Sequence, residues 1–263
     1  MFKNKFLSIV VAASCAVFTA CSDDDGNNPD VPGTINPSKV FTSGLPTSIG
    51  TGAITTDAQG RVTSISEDGQ IVSFKYENGS RAQDYQVIMT IHEEGYSEDD
   101  ETLYLTLNNQ GFVSYVYETY ANGNEPSEWW LTYSNDGYLT SMKRSEDEEE
   151  TTITWANGNI TAVKIVDHGD GDRIDNVTVS YNGQANKGCI MLYDYCFGID
   201  MDELGLAYFA GLLGKATKDL PVSYNEDGDV TKLDWTINAN GFPTKVVADY
   251  GGYTDEPIEF SWK

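Results

Sequence analysis

The feature that most constrains the fold is a short phrase that recurs along the chain: a polar pair, glycine, then a strand of alternating residues. In each copy the glycine can adopt the left-handed backbone conformation that a tight hairpin or its adjacent bulge requires. The phrase therefore predicts a succession of antiparallel hairpins. The copies are DAQGRVTSIS (57–66), SEDGQIVSFKY (66–76), NNQGFVSYVYE (108–118), SNDGYLTSMKR (134–144), WANGNITAVKI (155–165), YNEDGDVTKLDW (224–235) and NANGFPTKVV (238–247).

The segments before these turns also have strand character, as in LYLTLN (103–108), WWLTYS (129–134) and VTVSYN (177–182). Together they predict roughly a dozen strands or more, and twisted open sheets rarely exceed about ten. We therefore predict an all-β fold, an antiparallel up-and-down meander that forms a strongly curved sheet or a barrel. Whether the sheet closes is left open by the sequence.

One segment departs from this pattern, GIDMDELGLAYFAGLLGKATKDLP (198–221). Asp200 and Glu203 have the spacing of a capping box, and Gly214 suits a helix end. Apolar residues between them would cover nearly all sides of a helix, which indicates that the helix is buried. We predict one short buried helix near 200–213 that plugs or caps the curled sheet.

This stretch also carries a family resemblance. MDELGLAYFAGLLGKATKDLP (201–221), followed by SYNEDGDVTKLDWTINANGFPTKV (223–246), resembles a family of Bacteroidetes lipoproteins known as a domain of unknown function with a porin-like fold. The resemblance covers much of 110–263 and is best over the last 65 residues. It implies a barrel-like β-sheet and carries no catalytic or binding residues to transfer. Porin-like describes a shape, because membrane insertion would require a continuous lipid-facing apolar band.

The N-terminus has the form of a lipoprotein leader. Lys3 and Lys5 precede an apolar run too short to span a bilayer, which predicts a signal peptide over 1–20. Phe18-Thr19-Ala20-Cys21 resembles a bacterial lipobox, in which cleavage precedes the cysteine and its sulfur carries diacylglycerol. The sequence thus divides into the signal peptide, a lipidated Pro/Gly-rich tether over 21–47 and a single β-meander domain over 48–263.

The anchored residue Cys21 is followed at once by Ser22, Asp23, Asp24 and Asp25. This run resembles the acidic export signal of Bacteroidetes surface lipoproteins, although an acidic linker would read the same way. Acyl chains on Cys21 would hold the protein on a membrane nearly permanently. We expect an outer-membrane location, exposed at the cell surface, with the membrane as a partner through the lipid anchor.

The charge balance excludes one class of partner. The formal net charge is −25, and a surface this acidic repels phosphate backbones, so we expect no nucleic-acid ligand. With His92 in a strand, His168 in a loop and no Cys-x-x-Cys pair, a structural zinc site is not expected. Cys189 and Cys196 are interpreted as two buried thiols rather than a disulfide, because an extended strand would hold their Cα atoms roughly 23 Å apart.

Asp167, Asp170 and Asp172 alternate with glycines in a loop, as oxygen ligands of calcium do. The loop lacks the spacing and closing glutamate of an EF-hand, and an acidic exposed hairpin loop is the favoured interpretation. No other cofactor is expected.

Trp129 and Trp130 are adjacent in a strand and must point to opposite faces of the sheet. One of them therefore lies outside the main core or lines an interior cavity. Aromatic rings suit carbohydrate C–H surfaces, so these two are the candidate ligand-binding aromatics. The alternative is that they fill the core of a curved sheet.

The resulting functional hypothesis is a surface lipoprotein that acts as a binding or interaction module, with a glycan or a protein as ligand. An enzyme is not expected, because the chain has no Gly-x-Ser-x-Gly elbow and its acidic runs at 93–101 and 145–150 read as solvated loops. A carbohydrate-active or other hydrolase, with carboxylates assembled from distant strands, remains an alternative. A structural envelope or adhesion component is another.

Overall fold

The protein, seen here as a computed structural model, is described over residues 35–67, 69–77, 85–169 and 171–263. Within these ranges sixteen antiparallel strands pair in chain order, and β1 pairs with β16 to close a barrel. The strands are β1 (Ser48–Ile49), β2 (Gly52–Thr56), β3 (Val62–Glu67), β4 (Gln70–Tyr76), β5 (Val87–Glu93), β6 (Glu101–Leu107), β7 (Val113–Tyr120), β8 (Ser127–Tyr133), β9 (Leu139–Arg144), β10 (Glu150–Ala156), β11 (Asn159–Asp167), β12 (Arg173–Ala185), β13 (Asp219–Glu226), β14 (Asp229–Ile237), β15 (Pro243–Asp249) and β16 (Ile258–Ser261).

The predicted all-β meander is confirmed, and the sheet closes completely. The recurring phrase forms hairpin connections of two kinds. The copies at 57–66, 108–118, 134–144 and 238–247 share one loop, whereas those at 155–165 and 224–235 turn more tightly, with Ala156 paired to Asn159 and Glu226 to Asp229. In the β2–β3 loop, Asp57 Oδ1 accepts hydrogen bonds from the backbone N–H groups of Gln59 and Arg61, both at 2.9 Å. Gly60 then adopts a φ of +78°, and a bulge follows where the strands resume. Asn108 and Asn238 begin loops with the same hydrogen bonds, because a side-chain oxygen at that position mimics a backbone acceptor.

Alternation along the strands separates the inside of the barrel from the outside. On β6, Leu103, Leu105 and Leu107 are buried, and the intervening Tyr104 and Thr106 are only partly covered. The same pattern recurs on β5 and β8. Most apolar side chains therefore fill the barrel, and most polar ones face outward.

The long β12–β13 connection passes into this interior. It contains a short helix, α1 (Tyr193–Phe197), and a 3₁₀ helix (Asp202–Tyr208). Most of its apolar side chains are fully buried, which confirms the predicted buried helix and its role as a plug. The buried members include Met201, Leu204, Ala207, Tyr208, Phe209, Leu212 and Leu213.

The ends of this helical segment differ from the expected capping. The 3₁₀ helix has no side-chain cap, because Asp200 Oδ1 instead accepts from the N–H of Asp202 in a local turn at 3.0 Å. Glu203 points to the barrel wall, where its Oε1 accepts from Gln70 Nε2 at 3.3 Å. The helix ends at Tyr208, and the chain turns at Gly211, at φ +77°, before it reaches Gly214.

Residues 35–47, which the sequence assigns to the tether, pack against this plug. Phe41 is buried, with its ring centroid 5.4 Å from Tyr208 and 6.0 Å from Phe209. Val40 is buried beside it. Two adjacent apolar residues are enough to hold a segment that shows no apolar periodicity.

Cys189 and Cys196 are both free thiols, as interpreted from the sequence. They do not lie in an extended strand, since Cys196 belongs to α1 and Cys189 has a left-handed φ of +51°. Cys196 is buried and Cys189 only partly so. No helix in the described ranges is long and apolar enough to cross a membrane.

Candidate functional site

The structure separates the two candidate tryptophans, as the alternation requires. Trp129 is 0% exposed inside the barrel, and Trp130 is 40% exposed on its outer surface. The predicted lipid-attachment and export residues, Cys21, Ser22, Asp23, Asp24 and Asp25, lie outside the described residues, as does Asp170 of the calcium loop.

Trp129 is an interior residue with a polar role. Its Nε1 donates to Glu118 Oε2 at 2.9 Å, and the guanidinium of Arg144 lies 4.5 Å above its ring centroid. Glu118 is itself only 2% exposed. The indole thus satisfies a buried carboxylate, and Trp129 is unavailable to a ligand outside the barrel.

Trp130 presents its ring to solvent beside a second aromatic residue. Its centroid lies 6.0 Å from that of Tyr115, its cross-strand partner on β7. The Tyr115 hydroxyl donates a short hydrogen bond to Glu128, which fixes the orientation of the ring. The pair forms a preorganised aromatic surface.

The indole N–H of Trp130 is also distinctive. Among the five tryptophans, all in the described part of the chain, the other four donate to acceptors within the protein at 2.6–2.9 Å. These are Glu118 for Trp129 and the carbonyls of Leu139, Pro221 and Pro243 for Trp155, Trp235 and Trp262. Trp130 makes no such bond within the described ranges, so its donor is not committed to an acceptor there.

A cavity of about 730 Å³ opens beside Trp130, and we call it the outer groove. The structure brings Trp130 and Asp172 together here, although they are far apart in sequence. The walls of the outer groove include Trp130, Lys143, Glu148, Glu150, His168 and Asp172.

Ion pairs organise the polar side of the outer groove. Lys143 Nζ lies 2.7 Å from Glu150 Oε1, and this hydrogen bond raises the pKa of Lys143 and lowers that of Glu150. His168 Nδ1 contacts a carboxylate oxygen of Asp172 across the β11–β12 loop. Donors and acceptors thus alternate beside the exposed indole.

The calcium loop does not gather its carboxylates in the part that the structure describes. Asp172 is engaged with His168, and Asp167 Oδ2 lies 4.0 Å from the guanidinium of Arg173. Across the described ranges, no three His, Cys, Asp or Glu side chains are grouped closely enough to hold a metal ion. Asp170 is outside those ranges, so calcium binding stays a prediction.

A second cavity, of about 600 Å³, lies at the barrel end where β6 begins and β7 ends, and we call it the mouth pocket. The strand ends provide most of it, and the tip of the plug provides the rest. Its walls include Glu101, Glu118, Tyr120, Arg144, Asp202 and Glu203. Arg144 and Ser145 line both the mouth pocket and the outer groove.

Burial and mutual repulsion perturb the acids of the mouth pocket. Partial burial, reinforced by Glu118, Glu203 and Asp202, raises the pKa of Glu101 to about 7. Burial also raises the pKa of Asp202 to about 6, even though Arg144 contacts its carboxylate. Glu101 is therefore a carboxylic acid that can keep or release its proton near neutral pH.

Sequence reasoning assigned Glu101 to a solvated acidic loop and did not single out Glu118 or Arg144. Glu101 instead begins β6, is partly buried and lines the mouth pocket. The available signal was the alternation in VSYVYETY on β7, where Glu118 shares the inward phase of Val116. A charged residue at an inward-facing strand position is unusual, so it marks Glu118 as a candidate functional residue. Glu101 and Asp202 lie near Glu118 only because the barrel closes and the plug enters it. No local sequence pattern predicts this arrangement.

Comparisons with known proteins agree with this architecture. A family model described as a domain of unknown function with porin-like fold (DUF4595) matches residues 54–245. A search of curated proteins gives no match.

Two solved structures show the same fold. A porin-like protein from Bacteroides uniformis has a TM-score of 0.57 at 18% identity, over 81% of this chain and 89% of its own. A porin-like protein from Bacteroides vulgatus has a TM-score of 0.53 at 12% identity, over 84% of this chain and 99% of its own. The family match spans most of the closed barrel, and the chain belongs to the family of domains of unknown function with a porin-like fold.

Proposed function

We propose that this protein is a lipid-anchored cell-surface module that binds carbohydrate in the outer groove around Trp130. The main support for this proposal is the contrast between two adjacent tryptophans. Trp129 is wholly buried and hydrogen-bonded inside the barrel, whereas Trp130 is 40% exposed and its indole N–H makes no hydrogen bond within the described ranges.

The chemistry of the outer groove supports a sugar ligand. An exposed aromatic ring can stack on the apolar face of a pyranose, and the neighbouring polar groups can bond its hydroxyls. Lys143 and His168 offer donors, and Glu150 and Asp172 offer acceptors within the same cavity. A sugar needs both kinds of group around one ring.

The outward faces of the strands support display in water. Polar side chains such as Thr106, Thr132 and Lys143 occupy many of the outer positions, and most apolar side chains face the plug. A lipid on Cys21 would then provide the attachment, and the acidic run after it the export address. The anchor is tested by Cys21→Ala, which should abolish palmitate labelling and release the protein from the membrane fraction. A variant that stays membrane-bound would contradict it.

The binding proposal is tested with the full chain on a glycan array, with and without calcium, followed by titration of the best sugar. Trp130→Ala should abolish binding without loss of folding. Tyr253→Ala is the control, because Tyr253 is 67% exposed on the β15–β16 connection, across the barrel from β8. Unchanged binding by Trp130→Ala would overturn the proposal. An array without any binding would favour a structural envelope role.

A hydrolase in the mouth pocket is the second candidate. Glu101, with a pKa of about 7, has the protonation behaviour of a general acid, and the buried Glu118 lies in the wall of the same cavity. Glycosidases use two carboxyl groups in this way. Turnover of a panel of chromogenic glycosides that is lost in Glu101→Gln but kept in Glu125→Gln would establish it. If the wild-type protein turns over none of these glycosides, the hydrolase hypothesis is rejected and only the binding module is retained.

A further inference from the structure

The outer groove continues into a row of tyrosines on the outer face of the barrel. The Tyr85 and Tyr104 ring centroids are 5.0 Å apart, and those of Tyr104 and Tyr117 are 6.2 Å apart. Tyr115 stands two residues from Tyr117 on the same face of β7, and its ring pairs with that of Trp130 at 6.0 Å. We call these five rings the aromatic track.

The strand register places the track outside the barrel. Tyr104 is directly opposite Tyr117, and Tyr115 is directly opposite Trp130. The residues that alternate with them, including Leu103, Leu105, Val116 and Trp129, point inward and are fully buried. Tyr104, Tyr115, Tyr117 and Trp130 are therefore not needed as core filler, the role that Trp129 has, and Tyr85 joins them through its ring contact with Tyr104.

The track runs across the strands and leads into the polar end of the groove. Trp130 is opposite Lys143 on β9, and Lys143 is opposite Glu150 on β10. From Tyr104 on β6 to Glu150 on β10 there are four strand spacings, or roughly 19 Å. A sugar ring in a linear chain advances by about one strand spacing, so each unit can meet one strand.

The charge of the track favours an uncharged occupant. The chain carries a net charge of −25, yet the five rings are neutral and the Tyr115 hydroxyl engages the carboxylate of Glu128. A basic protein partner would find more complementary charge on the acidic segment 94–100 between β5 and β6, which is outside the track and the outer groove. The neutral rings suit the faces of neutral sugars.

We propose that the aromatic track and the outer groove form one extended site for a linear, unbranched, neutral oligosaccharide of roughly four or more units that lies across β6–β10. This inference rests on the proposed carbohydrate-binding function and specifies its ligand. Trp130 on β8 holds a unit in the middle of the chain. Tyr117 and Tyr104 hold the units towards β6, and Lys143 and Glu150 contact those towards β10.

The experiment measures affinity against chain length. The full chain is titrated with linear β-1,4-linked glucose, mannose and xylose series, from disaccharide to hexasaccharide. For at least one series, affinity should rise at least about tenfold from disaccharide to tetrasaccharide and then level off. Trp130→Ala should abolish binding at every length.

Two variants of one residue separate stacking from folding. Tyr104→Ala should reduce tetrasaccharide affinity to the disaccharide value and leave disaccharide binding unchanged. Tyr104→Phe keeps the ring and should bind every length as the wild type does. Thermal unfolding of both variants verifies the fold.

The possible outcomes distinguish failure of the extended site from failure of carbohydrate binding in the outer groove. Disaccharide binding that depends on Trp130 but does not increase with length would overturn the extended site and leave the outer groove as the binding site. No binding by any of the three series would overturn the extended site, and a silent glycan array would overturn the binding proposal as well.

Discussion

The indole nitrogen of Trp129 donates a hydrogen bond to Glu118 Oε2 at 2.9 Å inside the barrel, between adjacent strands β7 and β8. Both residues are buried, at 0% and 2% exposure. The bond connects the barrel wall to the mouth pocket, because Arg144 covers the same indole and contacts Asp202 of the plug.

Trp129→Phe should lower the free energy of unfolding by about 1–3 kcal/mol, because it leaves the buried Glu118 carboxylate without this donor. The neighbouring Trp130→Phe is the matched control and should change it by less than about 0.5 kcal/mol, since the indole N–H of Trp130 makes no hydrogen bond within the described ranges. Urea denaturation of both variants measures the difference. Equal losses in the two would show that the inward and outward assignments are wrong.

Stability should depend on the protonation of Glu101. Its pKa is about 7 in the folded protein, above its ordinary value of 4.5. Between these values the native state keeps a proton that the unfolded chain has released. The contribution is therefore complete below pH 4.5 and is lost as the pH rises towards 7.

Glu101→Gln should flatten the decline of stability between about pH 4.5 and 7, as measured by urea midpoints across this range. Some decline should persist, because burial also raises the pKa of Glu149, Asp194 and Glu226. Glu125→Gln, in the wall of the same mouth pocket, is the control and should retain the wild-type slope. A full wild-type slope in Glu101→Gln would refute the assignment.

The contact between the N-terminal segment and the plug should be sensitive at Gly211. A methyl group there would lie 2.6 Å from the Cα of Pro37, in addition to the strain of φ +77°. Gly251 has a similar φ of +81° with open space around it. Gly251→Ala should therefore cost about 1–2 kcal/mol from the backbone alone.

Gly211→Ala should cost at least about 1 kcal/mol more than Gly251→Ala, because Pro37 must move. Thermal unfolding of the two variants provides the comparison. If the costs are equal, residues 35–47 do not pack against the plug as described.

The two free thiols should differ in reactivity. Cys196 is buried on α1, and burial raises its pKa far above the ordinary range. Cys189 is only partly buried, and burial raises its pKa as well. A thiol reagent under native conditions should modify Cys189 first, with Cys196 protected until unfolding, as located by mass spectrometry of peptides. Rapid modification of Cys196 would contradict the packing of α1 in the barrel.

Local sequence patterns were enough to predict most of the fold. The phrase that ends at Gly60 specifies a turn through its own side-chain and backbone hydrogen bonds, so a sequence can predict it. The buried plug was visible as a segment apolar on all sides. Its path past Gly211 was not, because that ending depends on the close approach of Pro37.

The sequence predicted only part of the candidate site, because the rest depends on contacts between distant segments. Adjacent Trp129 and Trp130 must point in opposite directions, but the sequence does not say which one is outside. That choice is set by the register with Val116 and Tyr115 on β7. The meeting of Trp130 with Asp172 requires the strands between them to be placed side by side, which is a property of the closed sheet.

Binding at Trp130 is tested most directly by titrating the ¹⁵N-labelled protein with an oligosaccharide that it binds. The five tryptophan indole N–H signals are followed during the titration. The indoles of Trp129, Trp155, Trp235 and Trp262 donate within the protein, and that of Trp130 faces the outer groove. The Trp130 signal, assigned by its loss in Trp130→Phe, should shift with the ligand, and the other four should stay in place. A ligand that shifts one of the four and leaves Trp130 unmoved would contradict binding at Trp130.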